Sequence, residues 1–163
     1  MSAKIILFVC TGNTCRSPMA EALFRHEWGN RSGVPEVQAL SAGLAAASGG
    51  PASAGARAVM REAGIGLEGH CSTLLGEALL SEAHLVLVMS RGHRDHLQQH
   101  FPGAAGKVFL LKEYAGITED PEIGDPYGGT LAQYHQAYEE IRKAVAGVVS
   151  RLERSLRDEN SIR

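Results

Sequence analysis

Residues 5–18 read Ile5-Ile6-Leu7-Phe8-Val9-Cys10-Thr11-Gly12-Asn13-Thr14-Cys15-Arg16-Ser17-Pro18. The five apolar residues 5–9 run without interruption, which predicts a strand buried on both faces at the centre of a sheet. Farther on, within 19–28, Ala20, Leu23, Phe24 and Trp28 fall at near-helical spacing with Glu21, Arg25 and Glu27 elsewhere, which predicts an amphipathic helix. The order is therefore strand, tight loop, helix. A loop so placed points backbone N–H groups and the positive end of a helix dipole at one spot, which suits a phosphate-like dianion.

Two residues make this more than an anion site. Cys10 opens the loop and Arg16 closes it, with five residues between them. The thiolate is the nucleophilic form of cysteine, and a helix N-terminus with a nearby cation favours it. Arg16 brings a permanent charge and a planar fork able to grip two phosphoryl oxygens. Gly12 permits close backbone approach, and Asn13 tolerates the left-handed conformation such a loop needs. Ser17 is placed to donate its hydroxyl to the Cys10 sulfur, and Pro18 suits the first helical position.

The string Cys-x-Gly-Asn-x-Cys-Arg-Ser-Pro, set between a strand and a helix, resembles the signature of the low-molecular-weight protein tyrosine phosphatase family, which includes bacterial protein arginine phosphatases. The resemblance extends over nearly the whole chain, though only the Cys10 loop and a later loop around Asp125 are sharply diagnostic. It implies a hydrolase working through a phosphocysteine: Cys10 as nucleophile, and Arg16 with Thr11, Gly12, Asn13, Thr14, Cys15 and Ser17 around the phosphoryl group. No metal or other cofactor is required. Ser41, in the Ser-Ala-Gly step 41–43, and His70 match family positions that support the loop asparagine. Read without the family, Ser41 is equally a strand-end turn and His70 a solvent-exposed loop residue.

The rest of the chain organises around this loop. Its 163 residues predict one domain (1–156) with a polar, frayed end at 157–163. Apolar residues make up 44% and charged residues 21%, ordinary for a globular protein, and the formal charge of −2 argues against nucleic acid as a partner. No run of 18 apolar residues exists and the first residues show no cleavable signal pattern, so neither a membrane span nor export is expected. Three cysteines, Cys10, Cys15 and Cys71, are an odd number and suggest no disulfide framework. The cytoplasm is the expected compartment, with phosphorylated proteins as partners and a monomer or weak dimer as the expected state.

Further strands are expected at 36–42, within 84–90 and at 107–111, and helices at 51–63, 91–100 and through the periodic series Tyr134, Tyr138, Ile141, Val145, Val148, Leu152, about six turns. Residues 44–50 read as a loop and Cys71 as a small buried residue. Four strands alternating with helices predict an α/β doubly wound sheet, and the family resemblance adds a parallel sheet in the order 2-1-3-4. His93, His96 and His100 share one face of their helix; without a cysteine or carboxylate to complete a metal site, they read as a solvated, titratable face. The aromatic start of the last helix reads as core.

The segment 120–129 contains two Asp-Pro steps. Asp120-Pro121 suits turn initiation. Asp125-Pro126-Tyr127 matches the family's Asp-Pro-aromatic motif, and a thiolate phosphatase needs a separate acid, so Asp125 is the expected proton donor and Tyr127 the residue at the substrate entrance. Three other readings are weaker. An arsenate reductase on this fold needs further redox cysteines after the third strand, and residues 72–163 contain none. A phosphocarrier would not need both Arg16 and Asp125, and a phosphoprotein-binding module would be expected to lack Cys10 or Asp125. Within the family, Thr14 stands where tyrosine-directed members carry a larger aliphatic residue and arginine phosphatases carry threonine. The arginine branch is therefore expected, with tyrosine-directed activity as the alternative and Tyr127 standing where that branch carries phenylalanine. Cys15 is placed either for reversible pairing with Cys10 or for packing.

Overall fold

A computed structural model describes residues 3–161, the side chains of 160 and 161 aside. Its sheet has four parallel strands in the order β2-β1-β3-β4: β1 is Lys4–Cys10, β2 is Val37–Gly43, β3 is Leu85–Val88 and β4 is Val108–Leu110. β1 is central, as its apolar run requires, with Phe8 in register with Ser41 on one side and Leu87 on the other. Both faces are covered. Alternation along β1 sends Ile6, Phe8 and Cys10 into one core cluster and Leu7 and Val9 into the other.

The larger cluster lies under α1 (Arg16–Gly29), α2 (Ala54–Glu62), the short α5 (Leu111–Tyr114) and α6 (Leu131–Ser161). α1 and α6 pack together, with Phe8, Phe24 and Trp28 in a continuous aromatic row. The opposite face is covered by α3 (Glu77–Glu82) and α4 (Arg91–His100), with a 3-10 turn, Pro102–Lys107, leading into β4. Glu77–Glu82 has a single buried apolar residue, Leu80, too little periodicity to be visible in the sequence as a helix.

Several expectations shift. α1 begins at Arg16, so Pro18 occupies the third helical position; its missing N–H still costs nothing, because the first-turn donors have no intrahelical partner. α6 is 31 residues long, about eight and a half turns. It continues into the stretch expected to fray, because Arg157 bonds Glu153 at 2.8 Å and the Ser32 carbonyl at 3.2 Å. Residues 162 and 163 of that stretch lie outside the described residues. Cys71 is exposed, just after the turn at 68–69, and not buried. No helix among the described residues is long and apolar enough to cross a membrane.

Candidate active site

The loop 11–15 leaves the carboxyl end of β1 and enters α1, at the end of a parallel sheet where ligands bind in this architecture. Its shape is set by Asn13, whose φ of 56° is the only positive value at a non-glycine among the described residues. Asparagine accepts this conformation more readily than most residues, and here its side chain is fully committed. Nδ2 donates to Ser17 Oγ at 2.8 Å and to Ser41 Oγ at 2.9 Å, while Oδ1 accepts from the Thr73 N–H at 2.8 Å. The Asn13 carbonyl receives His70 Nε2 at 2.7 Å, and since a carbonyl only accepts, that nitrogen carries the proton. Ser41 and His70 thus both contact Asn13, one through its amide and one through its backbone.

Close approach of backbone to backbone falls at Gly43 more than at Gly12. A Cβ on Gly43 would sit 2.6 Å from the Thr11 carbonyl, whereas one on Gly12 would meet only Thr14 Oγ1 at 3.6 Å. The end of β2 therefore presses against the loop, and Leu44 and Ala45 donate their N–H groups to the carbonyls of Cys10 and Thr11.

Cys10 Sγ lies 2.9 Å from Ser17 Oγ. Ser17 Oγ accepts from Asn13 and keeps its own hydrogen, which it can give to the sulfur, above all to a thiolate. Arg16 is buried with 6% of its side chain exposed. Its Nη1 donates to the Ile123 carbonyl at 2.8 Å and its Nη2 lies 3.6 Å from Asp125 Oδ2. Its Nε is buried and has no partner. A buried guanidinium donor without an acceptor is costly, and an anion held by the loop would supply one.

Asp125 and Tyr127 come to the same cleft from the loop before α6. The cleft, about 270 Å³, is lined by Cys10, Thr11, Gly12, Thr14, Cys15, Arg16, Ala45, Ala47, Asp125 and Tyr127. Asp125 makes the turn a loop Asp-Pro is expected to make, its Oδ1 accepting from the Tyr127 N–H at 3.1 Å, yet its other oxygen faces Arg16. Asp120 does only the first of these, with Oδ1 on the Glu122 N–H at 3.0 Å. Tyr127 is 72% exposed at the rim.

Three groups escaped the sequence reading. Lys112 is buried and its Nζ binds the carbonyls of Asp120 and Glu122, both at 3.1 Å, and Glu140 at 2.6 Å, stapling the Asp125 loop to α6. Next to the cleft, Cys15 Sγ lies 3.1 Å from Ser53 Oγ and 3.4 Å from Tyr134 Oη. Tyr134 is core, as expected, but its hydroxyl reaches the loop; burial first, and the Cys15 contact next, raises its pKa. The third is His93. It does not belong to a solvated face: it is 6% exposed and its Nε2 lies 2.9 Å from Thr11 Oγ1, while His96 and His100 are exposed with their rings in tilted contact. The 93, 96, 100 spacing keeps the three on one side of the helix, but only the first is covered and reaches the loop. Lys112 and Ser53 carried no sequence signal; a histidine three residues after an N-cap serine on the helix that follows β3 was the one available for His93.

A family model for low molecular weight phosphotyrosine protein phosphatases matches residues 5–158. This chain belongs to that family. The protein-arginine-phosphatase of Geobacillus stearothermophilus is 40% identical to it, over 91% of this chain and 95% of that one. A protein of Ralstonia nicotianae described as a probable low molecular weight protein-tyrosine-phosphatase, EpsP, is also 40% identical, over 91% of this chain and 96% of its own. A solved YwlE arginine phosphatase, a cysteine-to-serine mutant with a phosphorylated active site serine, superposes with a TM-score of 0.86 at 38% identity, covering 94% of this chain and 98% of that one.

Proposed function

We propose that the chain is a cysteine-dependent phosphoprotein phosphatase acting through a phosphocysteine, with phosphoarginine on proteins as its preferred substrate. The observation that carries the reading is the buried, unpartnered Arg16 Nε beside a thiol that Ser17 already contacts, in a loop whose backbone turns about Asn13. The phosphorylated serine in the YwlE mutant supports Cys10 as the atom that takes the phosphoryl group.

In the first step the Cys10 thiolate attacks phosphorus while the loop N–H groups and Arg16 hold the non-bridging oxygens. The S–P bond forms, the P–N bond of phosphoarginine breaks, and Asp125 gives its proton to the departing guanidine nitrogen. In the second, water attacks the phosphocysteine and Asp125 takes its proton. The S–P bond then breaks, inorganic phosphate leaves, and the Ser17 hydroxyl stabilises the thiolate. Positioning and fixed charge supply most of the rate, as in phosphoryl transfer generally. The three cysteines are free thiols, which suits a reducing compartment, the cytoplasm.

Thr14 supports the arginine preference: it lines the cleft, and its hydroxyl, engaged only by a long contact with Cys15 Sγ at 3.8 Å, still has a lone pair to accept from a guanidinium N–H. The exposed Tyr127 ring and the relative described as a probable protein-tyrosine-phosphatase favour the second reading, phosphotyrosine. Parallel hydrolysis of phosphoarginine and phosphotyrosine peptides by the reduced chain decides between them. A higher kcat/KM on phosphotyrosine overturns the arginine reading, and absence of turnover on both overturns the phosphatase.

A further inference from the structure

His93 is held from several sides. Ser90 caps α4 and accepts the His93 N–H at 3.3 Å. On either side of that cap, the Arg91 N–H donates to Glu122 at 3.0 Å and the Met89 carbonyl accepts the Ile123 N–H at 2.9 Å. The turn of chain that places His93 therefore also fixes the loop carrying Asp125. From here the ring reaches into the first residue after the nucleophile, Thr11, which is exposed in the cleft and whose carbonyl is already held by Ala45.

The hydrogen between His93 and Thr11 can be located. His93 Nδ1 is buried with no partner. If Nε2 accepted from Thr11, Nδ1 would carry a buried N–H bonded to nothing, the rarer and costlier fault. With the proton on Nε2, the imidazole donates to Thr11 Oγ1 and only a lone pair is left at Nδ1. The Thr11 hydroxyl, satisfied as an acceptor, then keeps its own hydrogen for a group in the cleft. Burial chiefly, and the Arg16 guanidinium beside it, lower the His93 pKa from 6.5 to about 4; Asp125 pulls it upward and His96 slightly down. The ring is neutral at physiological pH, as this tautomer requires.

We infer that His93 is a positioning residue for the phosphoryl transfer proposed above: its Nε2–H holds the Thr11 hydroxyl as a hydrogen-bond donor toward the transferring phosphoryl group. The hydroxyl adds one donor to those of the loop backbone and Arg16, and it is set in place before substrate arrives, which is what makes such a donor effective. Since charge on the phosphoryl oxygens and their geometry change between ground and transition states, its loss is read in kcat more than in KM.

The test is steady-state kinetics on p-nitrophenyl phosphate with the full chain, wild type against Thr11→Val, His93→Phe, the double variant and His93→Gln, with thermal melts alongside. Thr11→Val and His93→Phe should each lower kcat about tenfold with KM changed less than about twofold. The double variant should be no slower than either single one. His93→Gln, whose amide nitrogen can take the place of Nε2, should recover most of kcat. Thr11→Val at the wild-type rate, losses that multiply in the double variant, or His93→Gln as slow as His93→Phe each overturn the inference. If His93→Phe does not fold, His93→Met takes its place in the cycle. A wild type that turns nothing over overturns the phosphatase reading and this inference with it, whereas an active wild type with indifferent variants overturns this inference alone.

Discussion

Arg16 Nη2 lies 3.6 Å from Asp125 Oδ2 while Nη1 of the same guanidinium donates to the Ile123 carbonyl at 2.8 Å, so the side chain that closes the Cys10 loop holds the segment 123–125 at both ends. Asp125 is half exposed, with 49% of its side chain accessible, so the contact is a positioning one and contributes little to stability.

If Asp125 protonates the leaving atom, its loss should matter in proportion to how badly the leaving group needs a proton. Asp125→Ala is expected to lower kcat on phosphoarginine peptides about 10²–10³-fold and on p-nitrophenyl phosphate, which departs as a stable anion, far less. Equal losses on the two substrates would make Asp125 a structural turn residue. Asp120→Ala, which removes only the bond to the Glu122 N–H, should leave both rates near wild type.

Cys10→Ser should abolish turnover yet still bind inorganic phosphate, because the loop N–H groups, Arg16 and the Asn13 network do not depend on the sulfur. Isothermal titration with phosphate checks the binding. Residual turnover above about one per cent of wild type would end the phosphocysteine mechanism, since the thiolate carries the covalent step.

The loop itself was legible from its residues, and the reasons are local. A strand, a glycine, an asparagine able to take positive φ and a cysteine–arginine pair are all readable within fourteen consecutive positions. The sheet order followed from the family resemblance and agrees with the register of β1 against β2 and β3. What stayed hidden depends on pairs far apart in the chain. Thr11 and His93 are 82 positions apart, Cys15 and Tyr134 119 apart, and neither histidine nor tyrosine differs in sequence from its exposed counterparts. His93 was grouped with His96 and His100 by helical spacing, which tells which residues share a side of a helix but not which of them another element covers. Cys71 misled in the opposite sense: cysteine is commonly buried, but this one is exposed beside His70, whose ring, not the thiol, reaches inward.

Asn13 satisfies every polar group of its side chain, so its removal should show in stability as well as rate. Asn13→Ala leaves Ser17, Ser41 and the Thr73 N–H short of a partner and forces alanine to a φ of 56°. A loss of about 3 kcal/mol is expected, a fall in Tm of roughly 6–12 °C for a chain of this size. Ser41→Ala removes one bond of the three and should cost about 1 kcal/mol. Equal melting temperatures for wild type and Asn13→Ala would mean that the network is not what holds the loop.

His93 gives a pH dependence whose sign is fixed. Its pKa falls from 6.5 in the unfolded chain to about 4 in the fold, chiefly through burial. Between those values the unfolded chain binds the proton that the fold refuses, so stability rises with pH there. The neutral ring is at no disadvantage above pH 6.5, and the whole penalty is incurred once pH reaches 4. Between pH 7 and pH 5 this amounts to about 2 kcal/mol. Other groups titrate over the same range, so the readout is a difference: urea unfolding at the two pH values should show wild type losing about 2 kcal/mol more than His93→Gln. Parallel losses in the two proteins would place His93 in water.

On the proposed arginine reading, specificity would rest on Thr14, a half-buried residue that the cleft shares with Asp125 and Tyr127. A hydroxyl in this position can pair with a guanidinium N–H, whereas an aryl ring leaves it without a partner at a cost of roughly 1–3 kcal/mol. Replacing it by isoleucine removes the polar partner and adds apolar surface on the side where the leaving group stands. Thr14→Ile should therefore lower kcat/KM on phosphoarginine peptides about 10- to 100-fold while phosphotyrosine hydrolysis is kept or improved. Thr14→Ser, which keeps the hydroxyl, separates polarity from volume: it should stay on the arginine side. Ala45 and Ala47, which also line the cleft, are too small to clamp a ring themselves. A preference left unchanged by Thr14→Ile would move the determinant of specificity away from the phosphate loop and onto the Tyr127 side of the cleft.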